Sequence, residues 1–105
     1  MRHALKPHTG KRITVHAHFT RYGLRGRRRR QRLTALLSDV QTPDGQPLAD
    51  HLWLKAARPL NIAGIRPGAH ISLTGRVVAY NTRTGSTNYN IVDVDNVEKI
   101  TIDLA

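Results

Sequence analysis

Six arginines between positions 25 and 32, four of them consecutive, are the densest chemistry in the chain. They are Arg25, Arg27, Arg28, Arg29, Arg30 and Arg32, with Arg21 just ahead of them. A guanidinium is too strong a base to lose its proton, but it forks onto phosphate oxygens and stacks on planar rings. Such a run neutralises several phosphates of a nucleic acid, releases their counterions and makes the affinity depend on salt. Without that partner, the same residues read as a solvated loop or an import-type basic stretch.

Aromatic rings supply the second ingredient. Trp53, Tyr22, Tyr80 and Tyr89 fall on the outward parity of the strands assigned below, next to His51, Lys55 and Arg76. Unpaired bases stack on such rings, at about 1–3 kcal/mol per base. Arg83, in a later polar loop, joins the basic set. Trp53 also lies between Leu52 and Leu54, and a register slip of one residue would make it core; both placements stand open at this stage. Phe19 faces inward by its alternation with polar neighbours.

Other constellations are thinner. His16 and His18 are two residues apart on one strand face, as zinc ligands sometimes are, but no further ligand stands at a telling spacing. They read as part of the nucleic-acid face or as simply exposed. Asp93 and Asp95 share a face and could hold magnesium as paired carboxylates do in nucleases, yet no third carboxylate or general base accompanies them in a recognisable motif. A phosphate-binding glycine loop and a nucleophile elbow are both missing, and Ser38, Ser72 and Ser86 lie in unremarkable contexts. No cysteine is present, which excludes disulfide scaffolds, thiolate zinc sites and thiol nucleophiles. The chain is therefore read as a non-enzyme with no cofactor and no metal.

The elements that must carry these residues fit one domain, since 105 residues leave room for a single core. The formal net charge of +10 is unevenly distributed: residues 1–32 hold eleven basic side chains and no acidic one. Such an excess calls for a polyanionic partner. Residues 1–11, polar and basic with Pro7 and Gly10, are expected to form a flexible basic tail before a single domain over 12–105. The start has no secretory apolar stretch and no run approaches a membrane span, so a cytoplasmic protein without membrane contact is expected. A transit peptide is a weaker alternative.

From Ile13 the pattern alternates, with Ile13, Val15, Ala17 and Phe19 inward. Residues 23–32 then read as a long basic loop, Leu33 to Val40 as a second strand, and Thr42-Pro43-Asp44-Gly45 as a tight turn. His51 to Lys55 supplies a third strand, with Leu52 and Leu54 inward. Pro59 opens a short helical connector. The fourth strand, His70 to Tyr80, puts Ile71, Leu73, Val77 and Ala79 inside, and Gly75 marks a bend. After the polar loop 81–88, a fifth strand puts Val92 and Val94 inward, with a possible continuation at Ile100 and Ile102.

Five strands with a short helix between the third and fourth make an all-β layout. It resembles the OB-fold, a five-stranded Greek-key barrel that commonly binds oligonucleotides. Two segments carry the likeness over roughly residues 12–102. Arg66-Pro67-Gly68-Ala69-His70-Ile71-Ser72-Leu73-Thr74-Gly75-Arg76-Val77 looks like the turn into the fourth strand, and Asp50-His51-Leu52-Trp53-Leu54-Lys55 like the third strand. With Tyr80 ending strand four, the latter is similar to small single-domain OB proteins of plasmids, phages and integrated elements. The resemblance implies a binding surface on the outer face of strands two and three, flanked here by loops 23–32 and 81–88. Its departure is aromatic poverty.

The function expected is binding of single-stranded DNA or RNA with little sequence preference. The arginines of the first loop, with Arg21, Arg76 and Arg83, would follow the phosphates, while Trp53 and the outward tyrosines would stack on bases. A second reading is a protein–protein adaptor of a replication, recombination or translation complex. A third is a metal-dependent nuclease using Asp93 and Asp95. Edge strands leave a homodimer open.

Overall fold

The computed structural model describes residues 3–101 of the chain. Five strands form one antiparallel sheet in the order β3-β2-β1-β4-β5. They are β1 (Arg12–Arg25), β2 (Arg32–Gln41), β3 (Pro47–Leu54), β4 (His70–Asn81) and β5 (Thr87–Lys99). A single turn of helix, α1 (Arg58–Ile62), lies between β3 and β4, with Pro59 in its first turn, where its missing N–H costs nothing. Among the described residues, no helix is long and apolar enough to cross a membrane.

The β2–β3 connection is the tight turn expected from Pro43-Asp44-Gly45: the Thr42 amide donates to the Gln46 carbonyl at 2.9 Å, and Gly45 takes a positive φ of 95°. The core lies inside the curl of the sheet, where Val15, Phe19, Leu37, Leu52, Leu54, Ile71, Leu73, Val77 and Ile91 are almost wholly buried with Leu60 of α1. Gly75 sits where β4 and β5 touch. A Cβ there would run into the Ile91 side chain and stand 3.0 Å from the Val92 carbonyl oxygen.

Strict alternation fails wherever one strand carries an extra residue. Phe19 and Arg21 oppose the successive residues Leu37 and Leu36, which leaves Thr20 bulged out of β1. His16 and His18 oppose Gln41 and Ser38, so β2 holds the surplus around Asp39. β5 has two more, between Val92 and Asp95 and between Asp95 and Glu98. Asp39, Asp93 and Asn96 take positive φ of about 50° at these places, a conformation that short polar side chains tolerate best.

Four expectations are corrected. The sheet is not a closed barrel: β3 and β5, its two edges, form no ladder. They meet through the Asn90 side-chain amide, which donates to the Trp53 carbonyl at 3.1 Å, while the Lys55 ammonium just after β3 lies 5.0 Å from the centre of the Tyr80 ring on β4. The basic loop is shorter than residues 23–32, because β1 runs to Arg25 and pairs it with Arg32, leaving Gly26 to Gln31 as the hairpin tip. Within the expected tail, the described residues are not free. His3–His8 form a 3-10 turn that contacts β3 and β5, with Leu5 fully buried in the core, and Gly10 donates to the Val77 carbonyl at 2.8 Å. One apolar side chain in a polar stretch has no periodicity to reveal it. Finally, Ile91 rather than Val92 faces inward on β5, and Ala79 is exposed. Ile102, expected in a continuing strand, lies outside the described residues.

Leu5 covers the seam between the sheet edges, so Leu5→Ala should destabilise the fold by about 2–5 kcal/mol, the range of buried Leu→Ala changes. Equilibrium urea unfolding checks this; a free tail would leave the midpoint unmoved.

Candidate nucleic-acid interface

The outer face of the sheet is assembled by register. Arg21 of β1, Leu36 of β2 and Trp53 of β3 stand opposite one another in one row. The next row is His18, Ser38 and His51, and on the other side Gly23 faces Thr34. The bulge at Thr20 turns Arg21 outward, where its guanidinium carbon lies 5.4 Å from the centre of the Trp53 ring. Trp53 is half-buried on this outer face, which settles the two placements left open by its sequence. Gly23 lets the indole lie down: a Cβ on that residue would be 3.2 Å from Trp53 Cζ3.

Beyond this row the β1–β2 hairpin carries the arginines. Arg25 and Arg32 form its last rung, and Arg27, Arg28, Arg29 and Arg30 fill the tip, all exposed. The tip is closed by the Arg30 amide donating to the Arg27 carbonyl at 2.6 Å. Gly26, with φ of 107°, starts the turn, and a side chain there would collide with the Arg30 carbonyl oxygen. Among the described residues, no ion pair engages these arginines, so their charge faces solvent.

The β4–β5 loop reaches the opposite flank of β3. Thr82, Ser86 and Asn88 line a depression of about 430 Å³ with Asp50, His51 and His3. Hydroxyls of Thr82, Thr84 and Ser86 hydrogen-bond to one another and brace the loop that carries exposed Arg83. Lys55 and Tyr80 join at the end of β3, the ammonium against the ring. Arg21, the hairpin arginines, His51, Trp53, Lys55, Tyr80 and Arg83 are thus brought around β3 and its two flanking loops.

Three expected site residues do not belong there. Tyr22 points toward the core, because the extra residue at Thr20 reverses its parity: its ring packs edge-on against Phe19 at 4.5 Å, and its hydroxyl donates to the Ile65 carbonyl at 2.7 Å. Burial raises its pKa above the ordinary tyrosine value. Tyr89 is buried for the same reason, the bulge at Asp93 shifting the parity of β5 so that Tyr89 and Ile91 share the inner face. Arg76 is exposed but remote: it stands opposite Arg12, nine residues along β1 from Arg21, and its guanidinium donates to Asp93 Oδ2 at 2.7 Å.

Arg12 likewise donates to Asp95 Oδ1 at 2.7 Å, so each of the two aspartates is committed to an arginine. Among the described residues, no three His, Cys, Asp or Glu side chains are grouped to hold a metal ion. Sequence reading put the surface on the outer face of strands two and three through the resemblance but named no site residue on β2, where Thr34, Leu36 and Ser38 alternate with Ala35 and Leu37. That alternation was the available signal, masked by the apolar character of the whole segment.

Compared with protein-family profiles, curated proteins and solved structures, the chain finds no match.

Tyr22 ties β1 to the segment after α1, so Tyr22→Phe should cost about 1 kcal/mol at neutral pH, the usual contribution of one hydrogen bond. A raised folded-state pKa means that the stability it brings is complete below the unfolded value, about 10, and is lost as pH climbs toward and through the folded one. The stability gap between wild type and the phenylalanine variant should therefore narrow above about pH 10. Urea midpoints measured across that range would show a constant gap if the phenol were not buried.

Proposed function

We propose that the protein is an OB-fold module that binds single-stranded DNA or RNA along the outer face of β2 and β3, with little sequence preference. The observation that carries this reading is the half-buried, outward Trp53 with Arg21 beside it, one strand away from a hairpin of exposed arginines. An indole held against a sheet offers a platform for a base, and the arginines offer partners for the phosphates on either side of it. The strand order and the helix between β3 and β4 support the OB assignment: joining the edges β3 and β5 would give a five-stranded barrel, and OB barrels are often partly open. Loops Gly26–Gln31 and 82–86 then take the places that flank an OB binding face. Duplex is a poorer fit, since stacked and paired bases cannot reach a ring lying on a sheet.

A second reading, a protein–protein adaptor, is favoured by Leu24 and Ile62, large apolar side chains that are 67% and 75% exposed.

Fluorescence anisotropy with labelled single-stranded DNA, single-stranded RNA and duplex of equal length separates the two. Selective single-strand binding is expected, weakened roughly 5- to 150-fold by Trp53→Ala, the equivalent of about 1–3 kcal/mol per stacked base. Changing Arg27, Arg28, Arg29 and Arg30 to Gln should reduce the slope of log K against log salt by about 0.7 for each phosphate no longer neutralised. Equal binding of every polyanion, untouched by Trp53→Ala, would overturn the proposal and point to a protein partner.

A further inference from the structure

Among the described residues, Leu24 and Ile62 are the large apolar side chains left exposed, and both stand beside one cleft. The cleft, of about 490 Å³, lies between the root of the β1–β2 hairpin and α1, where Arg32, Leu33, Ala57, Arg58 and Asn61 line it. Leu24 is directly opposite Leu33, so the two share a face of the hairpin, the one toward which Tyr22 also points. That is the reverse of the face that carries Trp53, since Gly23, between Tyr22 and Leu24, is the residue that meets the indole. Ile62 follows Asn61 and comes four residues after Arg58, which places it one turn along the same side of α1. The Ala57 amide, donating to the Leu33 carbonyl at 2.9 Å, ties the two walls of the cleft together.

The charges around it are of one sign. Arg32 and Arg58 line the cleft, Arg25 is opposite Arg32, and Arg66 follows Ile65, whose carbonyl accepts from the Tyr22 hydroxyl; all four arginines are exposed. Lys55, just before the cleft, lies against the Tyr80 ring instead. Residues 21–38 and 51–92, which include the hairpin, α1 and β4, contain no Asp or Glu. β5 also packs on α1, but its Asp93 and Asp95 are engaged by Arg76 and Arg12, and its Glu98 is paired in register with Ser72 on β4.

A second copy of the chain, itself carrying a net charge of +10, is repelled from such a surface. A nucleic-acid strand finds no ring to stack on among the lining residues and leaves Leu24 and Ile62 in water. An acidic peptide with large apolar side chains matches both features: its apolar groups cover Leu24, Leu33 and Ile62 while its carboxylates meet Arg32 and Arg58. We infer that this cleft is a docking site for an acidic, leucine-bearing segment of a partner protein. The inference goes beyond the single-strand reading and does not rest on it, because the cleft opens on the other face of the hairpin.

The test is fluorescence anisotropy with a set of short labelled peptides of Asp and Glu that carry paired leucines at varied spacing. Two control sets replace the leucines by serine, or the acids by Asn and Gln. Wild type should bind at least one leucine peptide about tenfold or more tightly than its serine counterpart, the effect of burying one leucine. Leu24→Ser/Ile62→Ser should abolish that preference, and Arg58→Glu should weaken the acidic leucine peptide several-fold; these positions are exposed, so the fold is retained, and both variants should bind oligothymidylate as wild type does. Equal binding of leucine and serine peptides, a preference untouched by Leu24→Ser/Ile62→Ser, or equal binding of the uncharged leucine peptides overturns the inference. So does a wild-type dimer in analytical ultracentrifugation that Leu24→Ser/Ile62→Ser dissociates, which assigns the cleft to a second copy, or loss of oligothymidylate binding in that variant, which assigns it to the nucleic acid. Failure of wild type to bind oligothymidylate at low salt overturns the Trp53 face alone and leaves the cleft standing.

Discussion

A sheet of five strands that wraps a core made from its own inner face has to bend sharply, and here the bending is concentrated where a strand carries one residue more than its neighbour. A bulge increases the local twist and lets the strand turn a corner without giving up the ladder on either side. It also exchanges the faces of every residue beyond it, because side chains alternate with a period of two. Thr20 on β1 and Asp93 on β5 each do both. Beyond Thr20, Tyr22 turns inward to pack on Phe19 and Arg21 turns outward beside Trp53. Curvature, core and outer face are therefore set by the same few insertions rather than by separate devices.

How far the sequence reveals this follows from where its pattern is regular. Ile13 to Phe19 and Ile71 to Val77 alternate without interruption and face as expected, and Thr42-Pro43-Asp44-Gly45 and Pro59 mark a turn and a helix start by backbone chemistry alone. Bulges leave no such trace. Asp39, Asp93 and Asn96 are residue types that tolerate a positive φ, but polar residues on an outer face look the same whether bulged or not. Leu5 was illegible for a different reason: a single buried side chain closes the seam, and one residue cannot make a period. Of the candidate site, the arginines were plain from their clustering, whereas Tyr22 and Tyr89 were misplaced by one residue of parity each.

The arginine hairpin shows how a charge run that would disrupt a sheet can be carried by one. Arg25 and Arg32 are opposed on the last rung, and like charges directly opposite destabilise a ladder. Both side chains are exposed, so solvent and salt screen the repulsion, and the four central arginines leave the ladder altogether at the tip. The hairpin is anchored at its base instead, by the Tyr22 hydroxyl on the Ile65 carbonyl and by the Ala57 amide donating to the Leu33 carbonyl at 2.9 Å. Charge is concentrated at the end and apolar packing at the root.

Those two ends give the outer face a gradient of charge. At the far end of β1, Arg12 and Arg76 lie opposite each other but are each met by an aspartate of β5, so four charges cancel in pairs. Exposed pairs of this kind add little stability, about 0–1 kcal/mol each. Their larger effect is on the field: without Asp93 and Asp95, both ends of the sheet would be strongly basic. With them, the arginines of this face that make no ion pair among the described residues lie toward Arg21 and the hairpin. On the proposed reading, a long anion approaching such a face would be drawn first to the exposed hairpin arginines. On the proposed reading, the acidic residues of β5 would bias where a strand lands without touching it, by neutralising the far end.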